Sequence, residues 1–251
     1  MISAVVLVHN EEKNIRQCLL SVAWCEEIIV VDDHSTDGTL REIRGIGEIK
    51  EKAKIYQRNL NGDFAAQRNF GLNKAKGEWV LFVDPDEEVS PELEAEIKRK
   101  AGAEDFLGYY LRRTDYFWGR KLSHGETANV RLMRLAKRRC GIWKRAVHES
   151  WDIAGQTTVL NNYLKHNPHP TIREFIDSLN FYTEIDARQL PKEGKEFSFF
   201  RLIANPSGKF LQNYFLRFGF LDGLSGLVVA FMMSLHSLVV RVKMYDFSKT
   251  S

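Results

Sequence analysis

WVLFVDPDEE, Trp79 to Glu88, is the stretch on which the fold turns. Its first half, Trp79 to Val83, is an unbroken apolar run, the pattern of a strand buried on both faces within a parallel sheet. The run stops abruptly at Asp84, Pro85, Asp86, Glu87 and Glu88. Such an ending has two readings. One is a solvated acidic turn before the next helix. The other is a site: Asp84 and Asp86 lie two residues apart with Pro85 fixing φ between them, so both side chains can reach one hard cation.

Towards the N-terminus the same plan repeats. Ile2 to Val8 is a short apolar run ending at His9, Asn10, Glu11 and Glu12, and Ile15, Cys18, Leu19 and Val22 then fall at helical spacing. Glu27 to Asp32 reads as a second strand that closes on Asp32, Asp33, His34, Ser35, Thr36 and Asp37. There Ser35 or Asp37 is placed to cap a helix and Asp32 or Asp33 to face a cleft. Residues 49–57 give a weaker third strand, and residues 63–76 a helix stopped by Gly77. Alternating strands and helices predict a parallel sheet with right-handed crossovers, and such sheets bind ligands beyond the carboxyl ends of their strands. Asn10, Glu11, Asp32, Asp33, Asp84 and Asp86 collect at that edge. Neither GxGxxG nor GxxxxGK[ST] occurs, so the sheet is not explained by a dinucleotide fingerprint or a P-loop.

Composition narrows the class. A chain of 251 residues suits one large α/β domain, or a typical domain with an appendage. The formal net charge is only +3, but Arg131, Arg134, Lys137, Arg138, Arg139, Lys144 and Arg145 crowd one segment; this is either a solvated basic face or a surface for phosphate, phospholipid or acidic glycan. Nucleic acid is not expected, because no binding motif surrounds the run. Three cysteines with no CxxC pair imply neither a zinc cage nor a disulfide framework, and they fit a reducing cytosol. The chain enters a strand-like pattern with no basic leader, so no signal peptide is expected.

Three ordered motifs carry a resemblance. NEExxI after the first strand, VVDDxSxDGT after the second and AxxRNxGxxxAxGEWVLFxDxDE through the fourth, over about the first ninety residues, resemble the family 2 glycosyltransferases of the GT-A fold. Beyond Gly108, YYLRRTDYFWGRKLSHG, VRLMR, VHE and GFLDGLSGL are similar to the lipopolysaccharide core β-1,4-glucosyltransferases. The resemblance implies an α/β GT-A domain over residues 1–165, Rossmann-like, with a mostly parallel central sheet flanked by helices. Residues 1–100 would form its nucleotide-sugar-binding half and residues 101–165 its acceptor half. A helical, membrane-associating extension would occupy residues 166–251.

It also implies roles. Asp32 binds the nucleobase of a nucleotide-sugar donor with Asp33 beside it, Glu11 lines the same pocket, and Arg68 contacts the diphosphate or the acidic cluster. Asp86 is the main protein ligand of Mg²⁺ or Mn²⁺, Asp84 lies nearer the ribose or binds through water, and His148 of VHE completes the metal site. The plain alternatives are a turn-forming aspartate, a surface arginine and a structural histidine. Inverting transfer needs a base for the acceptor hydroxyl. Glu149 is the first candidate and Glu126 the second, with a structural salt bridge as the alternative for each. Between SHG and RLMR the chain departs from its relatives: it has Glu126, Thr127, Ala128 and Asn129 where tryptophan and aspartate are common. Tyr109, Tyr110, Tyr116, Phe117, Trp118 and Trp143 are either sugar-stacking or core residues.

The last third reads as amphipathic. Residues 171–190 predict a helix capped by Thr171 or Pro170, and eight Phe and Tyr between Phe197 and Phe220 alternate with Arg201, Lys209 and Arg217, as in segments lying at a membrane interface. Leu224 to Val240 is apolar but broken by Ser225, Ser234, His236 and Ser237, so a buried or membrane-lying helix is expected ahead of a transmembrane one. The expected protein is therefore an inverting, metal-dependent hexosyltransferase, peripheral on the cytoplasmic face of a bacterial inner membrane. It would move glucose from UDP-glucose to a lipopolysaccharide core or other lipid-linked saccharide. The alternatives are a relative acting on a peptide or exopolysaccharide lipid, and a non-catalytic nucleotide-sugar-binding protein.

Overall fold

The computed structural model describes residues 1–103, 105–168 and 171–250. They form two compact units, Met1–Arg113 with Arg131–His166, and Thr114–Val130 with Asn167–Ser251. Residues 114–130, within the stretch expected to form the acceptor half, go with the second unit.

The first unit begins β1 (Ile2–Val8), α1 (Ile15–Ser21), β2 (Glu27–Asp32), α2 (Thr39–Arg44), β3 (Ala53–Gln57), α3 (Phe64–Lys74) and β4 (Trp79–Phe82). β3, β2, β1 and β4 lie side by side in that order, all parallel. The order reverses between β1 and β4, and the crevice beyond that reversal is where open α/β sheets take ligands. Every residue of β2 and β4 is buried, which is why both read as continuous apolar runs. α3 packs onto β1 through Gly71, where a Cβ would fall 2.5 Å from Val5 Cγ1.

The remaining strands make the sheet mixed. β5 (Glu87–Val89) and α4 (Pro91–Ala101) follow β4, then β6 (Gly108–Phe117), β7 (Arg120–Lys121), β8 (Arg131–Lys137), β9 (Gly141–Lys144), β10 (Ser150–Ile153) and β11 (Thr157–His166). Beyond β4 the order continues β8, β6, β11, β5, and the β4–β8, β6–β8 and β5–β11 pairs are antiparallel. The expected long acidic turn is shorter than it reads, because Glu87 returns to the sheet opposite His166. β9 and β10 form a separate hairpin whose Trp143 and Trp151 stack at 5.3 Å, each edge-on to Phe82 at 5.0 Å. Trp143, Tyr109 and Phe117 are therefore core residues, whereas Trp118 is exposed.

In the second unit β7 pairs with Tyr116 and Phe117 of β6. The helices are α5 (Ile172–Gln189), α6 (Phe199–Leu211) and α7 (Gly223–Thr250). Thr171 caps α5 in a capping box with Glu174; Pro170, the other expected cap, lies outside the described residues. α7 runs unbroken through the serines that interrupt its sequence; of these, Ser225 is buried and Ser234 Oγ donates to the Pro206 carbonyl of α6 at 2.8 Å. It is long and apolar enough to cross a membrane by length and composition.

Candidate active site

The loops after β1 and β2 are tied together before any ligand arrives. Asn10 adopts the left-handed backbone region, its Oδ1 accepts from Thr36 N at 2.8 Å, its N–H donates to Ser35 Oγ at 2.9 Å, and Glu11 N–H donates to Thr39 Oγ1 at 2.7 Å. Ser35 thus serves the neighbouring loop and not a helix cap, while Asp37 Oδ1 accepts from Thr39 N at 2.9 Å at the start of α2. The two aspartates closing β2 differ sharply. Asp32 is fully buried and accepts from Ser35 N at 3.1 Å and Gln57 Nε2 at 3.0 Å. Asp33 accepts from Leu60 N at 2.9 Å and keeps its carboxylate partly open, with His9 Nδ1 3.9 Å away.

The carboxylates after β4 differ as well. Asp84 is clamped by two guanidiniums: Oδ1 accepts from Arg68 Nη2 at 2.9 Å and Oδ2 from Arg134 Nη2. Burial opposes its charge, but Arg134 and Arg68 outweigh burial and hold its carboxyl well below the ordinary range. Both carboxylate oxygens of Asp84 are thus engaged by arginines. Asp86 has a different partner, His166 at the end of β11, whose Nε2 lies 3.2 Å from Oδ2. Burial again disfavours the charge of Asp86, and the His166 ring brings its carboxyl below the usual value.

Arg68 is 5% exposed and links the cluster to the β9–β10 hairpin. Its Nε donates to Glu149 Oε1 at 2.7 Å, and the guanidinium lies 4.8 Å from the Trp143 ring. The adjacent Asn69 holds the same hairpin through both Trp143 N and O, at 3.0 and 2.9 Å. The arginine expected at the diphosphate or acidic cluster is thus at the cluster, and Glu149 is the carboxylate that orients it. Burial pushes Glu87 up, and its Oε1 has no hydrogen-bond partner although Arg134 Nη2 is 3.5 Å away. Burial, with Asp86, Asp37 and Asp84 nearby, pushes Glu11 up to about 7 even though Asn14 donates to it.

The residues present fit a divalent cation. Asp86 beside His166 offers one carboxylate oxygen and one imidazole nitrogen, in a cluster that also holds Glu11, Asp84, Glu87 and Glu149 with Arg68, Arg113 and Arg134. Among the described residues no three His, Cys, Asp or Glu side chains are set to hold a metal. Substrate phosphate and water would complete the shell, as Mg²⁺ and Mn²⁺ sites commonly require. The histidine beside Asp86 is His166, while His148, the one expected at the metal site, is exposed and has a left-handed backbone. Glu126 belongs to the second unit, where it pairs with Lys209 and lies 4.0 Å from Arg217.

Comparison with known proteins decides the family. A model described as glycosyl transferase family 2 matches residues 3–156. The chain is a family 2 glycosyltransferase. The lipopolysaccharide core biosynthesis glycosyltransferase LpsC of Rhizobium meliloti is 28% identical to it over 250 residues, covering 98% of this chain and 92% of that one. An uncharacterised glycosyltransferase of Rickettsia typhi is 28% identical over 264 residues, covering 100% and 88%. Among solved structures, the mannosyltransferase PcManGT of Pyrobaculum calidifontis, in complex with GDP-Man and Mn²⁺, has a TM-score of 0.58 at 13% identity over 97% of this chain and 86% of that one. S. aureus TarS 1–349 in complex with UDP-GlcNAc has a TM-score of 0.53 at 16% identity, covering 100% and 92%. This glycosyltransferase therefore has the GT-A fold, with an apolar C-terminal helix added.

Two residues of the glycosyltransferase's cluster escape a reading of the sequence. Arg134 is counted there as one member of a basic run, yet it lies in β8 between buried Met133 and Leu135 and is itself 5% exposed. A single charge inside the apolar stretch LMRLA is the signal that it turns inward to a partner. His166 carries no such signal, because only the antiparallel pairing of β11 with β5 brings it to Asp86.

Proposed function

We propose that this glycosyltransferase moves a hexose, glucose from UDP-glucose, with inversion onto a lipopolysaccharide core or related membrane-bound saccharide. The observation that carries the reading is the pairing of Asp86 with His166 in an acid-rich cluster at the β1/β4 crevice, where a nucleotide diphosphate would leave. The likeness to LpsC supports the choice of acceptor.

Asp33 at the crevice rim would bind the base, with buried Asp32 holding the turn that presents it. A divalent cation on Asp86 and His166 would stabilise the charge that develops on the diphosphate. Arg68 fixes Asp84 and Glu149 at once, so the donor side and the base would be positioned by one guanidinium. Glu149 Oε2, the oxygen not bonded to Arg68, would take the acceptor proton as the acceptor oxygen bonds to the anomeric carbon and the nucleoside diphosphate departs.

For membrane attachment, Phe199, Phe200 and Ile203 of α6, and Leu216, Leu221 and Leu224 after it, are exposed apolar side chains with Arg201 and Arg217 among them. Rings and basic groups mixed in this way suit an anionic bilayer surface. The deciding assay screens UDP-, GDP- and TDP-sugars with Mn²⁺ or Mg²⁺ for cleavage and for transfer to lipopolysaccharide core saccharides. UDP-glucose should be the preferred donor. A preference for a GDP-sugar, or transfer to no such saccharide, would contradict the reading.

A further inference from the structure

Within the second unit α6 and α7 meet along an antiparallel seam. At one end the ring of Phe197, just before α6, lies 4.9 Å from that of Tyr245, and towards the other Ser234 Oγ donates to the Pro206 carbonyl. Arg201 follows Phe197 by one helical turn's length of chain, and Arg241 precedes Tyr245 by one turn of α7. The seam therefore sets two arginines side by side.

Arg241 is fixed in that position by neutral partners. Its Nη1 donates to Ser237 O at 2.7 Å and to Ser237 Oγ at 3.1 Å. With the Asn205 amide turned to satisfy both groups, Asn205 Oδ1 accepts from Arg241 Nε at 2.9 Å and from its Nη2, and Asn205 is one turn beyond Arg201 on α6. Burial, and after it the like charge of Arg201, both work against the Arg241 charge, and no carboxylate offsets them. The acids that α5 offers are engaged elsewhere, Asp186 beside His236 at 3.6 Å and Glu184 with Arg188 at 3.1 Å. A half-buried guanidinium whose charged neighbour is another arginine lacks a counter-charge, and an anion between the two would supply it.

We propose that Arg201 and Arg241 bind the phosphate of a glycerophospholipid. Two planar guanidiniums can share the several oxygens of one phosphate, and the fork of Arg241 is held ready for it. The flanks of the site favour a lipid over a free anion. Phe199, Phe200 and Ile203 of α6 and Val242 of α7, next to the arginines in the chain, are exposed apolar side chains. Acyl chains would cover such a surface, whereas free phosphate would leave it in water. The inference rests on the membrane-attachment reading above and narrows it to one headgroup site.

The test is calorimetric titration of the full chain with dihexanoyl phosphatidylglycerol, kept below the concentration at which it forms micelles, and with inorganic phosphate. Wild type should bind the phospholipid at least about tenfold more tightly than inorganic phosphate. Arg201→Gln and Arg241→Gln should each weaken phospholipid binding by about tenfold, the worth of one charge-assisted hydrogen bond. Arg241→Lys should weaken it as well, because an ammonium keeps the charge but not the fork. Lys192→Gln, which removes an exposed charge elsewhere in the unit, should leave it unchanged. Melting curves establish that the variants fold, and Arg201→Gln, at an exposed position, decides alone if Arg241→Gln does not. No binding by wild type, inorganic phosphate bound as tightly as the lipid, undiminished binding in Arg201→Gln, or an equal loss in Lys192→Gln, the result of diffuse charge, would overturn the proposal. Co-sedimentation with phosphatidylglycerol vesicles is measured separately, so a chain that sediments with them and binds no single phospholipid contradicts this proposal alone.

Discussion

Nε2 of His166 stands 3.2 Å from Oδ2 of Asp86, although eighty residues of chain separate them. The contact exists because β5 returns to the sheet edge and pairs Glu87 with His166. It places an imidazole nitrogen beside a carboxylate, and in the proposed donor site that combination would suit Mn²⁺ better than a carboxylate pair alone.

His166→Ala should therefore raise the Mn²⁺ concentration needed for half-maximal occupancy by roughly 10- to 100-fold. Electron paramagnetic resonance of free Mn²⁺ in titrations of wild type and variant measures this directly. Unchanged affinity would remove His166 from the site.

Arg68 neutralises Asp84 and Glu149 from a nearly buried position, so its removal leaves two carboxylates without their shared partner. Arg68→Ala should lower stability by about 3–5 kcal/mol, as expected for breaking a buried ion pair from one side. Arg68→Lys should recover only part, since one ammonium cannot reproduce the two-directional fork. Urea denaturation tests both, and a loss below about 1 kcal/mol would mean that Arg68 behaves as an exposed pair.

Glu149→Gln keeps an acceptor oxygen for Arg68 but cannot take a proton. Transfer should fall by a factor of roughly 10² to 10⁴ with donor affinity little changed. Steady-state kinetics separate the two: an unaltered kcat would return Glu149 to a purely structural role.

Glu11 gives a pH signature. Its carboxyl is pushed up to about 7 in the folded state, so between its ordinary range and that value the folded chain holds a proton that the unfolded chain has lost. Stability should then fall as pH rises across that window, by about 3 kcal/mol in total, and be flat in this term above it. Glu11→Gln should abolish the fall, and added Mn²⁺ should reduce it. Denaturation from pH 5 to 8 without metal measures this, and a rise in wild-type stability attributable to Glu11 would contradict the assignment.

How much was legible in advance follows from what each element depends on. β1, β2 and β4 are buried on both faces, so their apolar runs and the carboxylates that end them stand out, and with them Glu11, Asp32, Asp33, Asp84 and Asp86. The split in character within each pair was hidden, because it depends on Gln57, Arg134 and His166, which come from elsewhere in the sheet. β5 has three residues and two glutamates, so it carries no strand pattern of its own and is made by its partner. The polar breaks in α7 weigh against a transmembrane span in the sequence; in the structure the side chain of one of them, Ser234, is satisfied by α6.

The most direct measurement compares UDP-glucose cleavage by wild type and Asp86→Ala with Mn²⁺ and after chelation. Wild type should lose activity on chelation and regain it with Mn²⁺, and Asp86→Ala should be low in both conditions. Equal activity with and without metal, matched by the variant, would contradict the central claim that Asp86 and its cluster form the donor site.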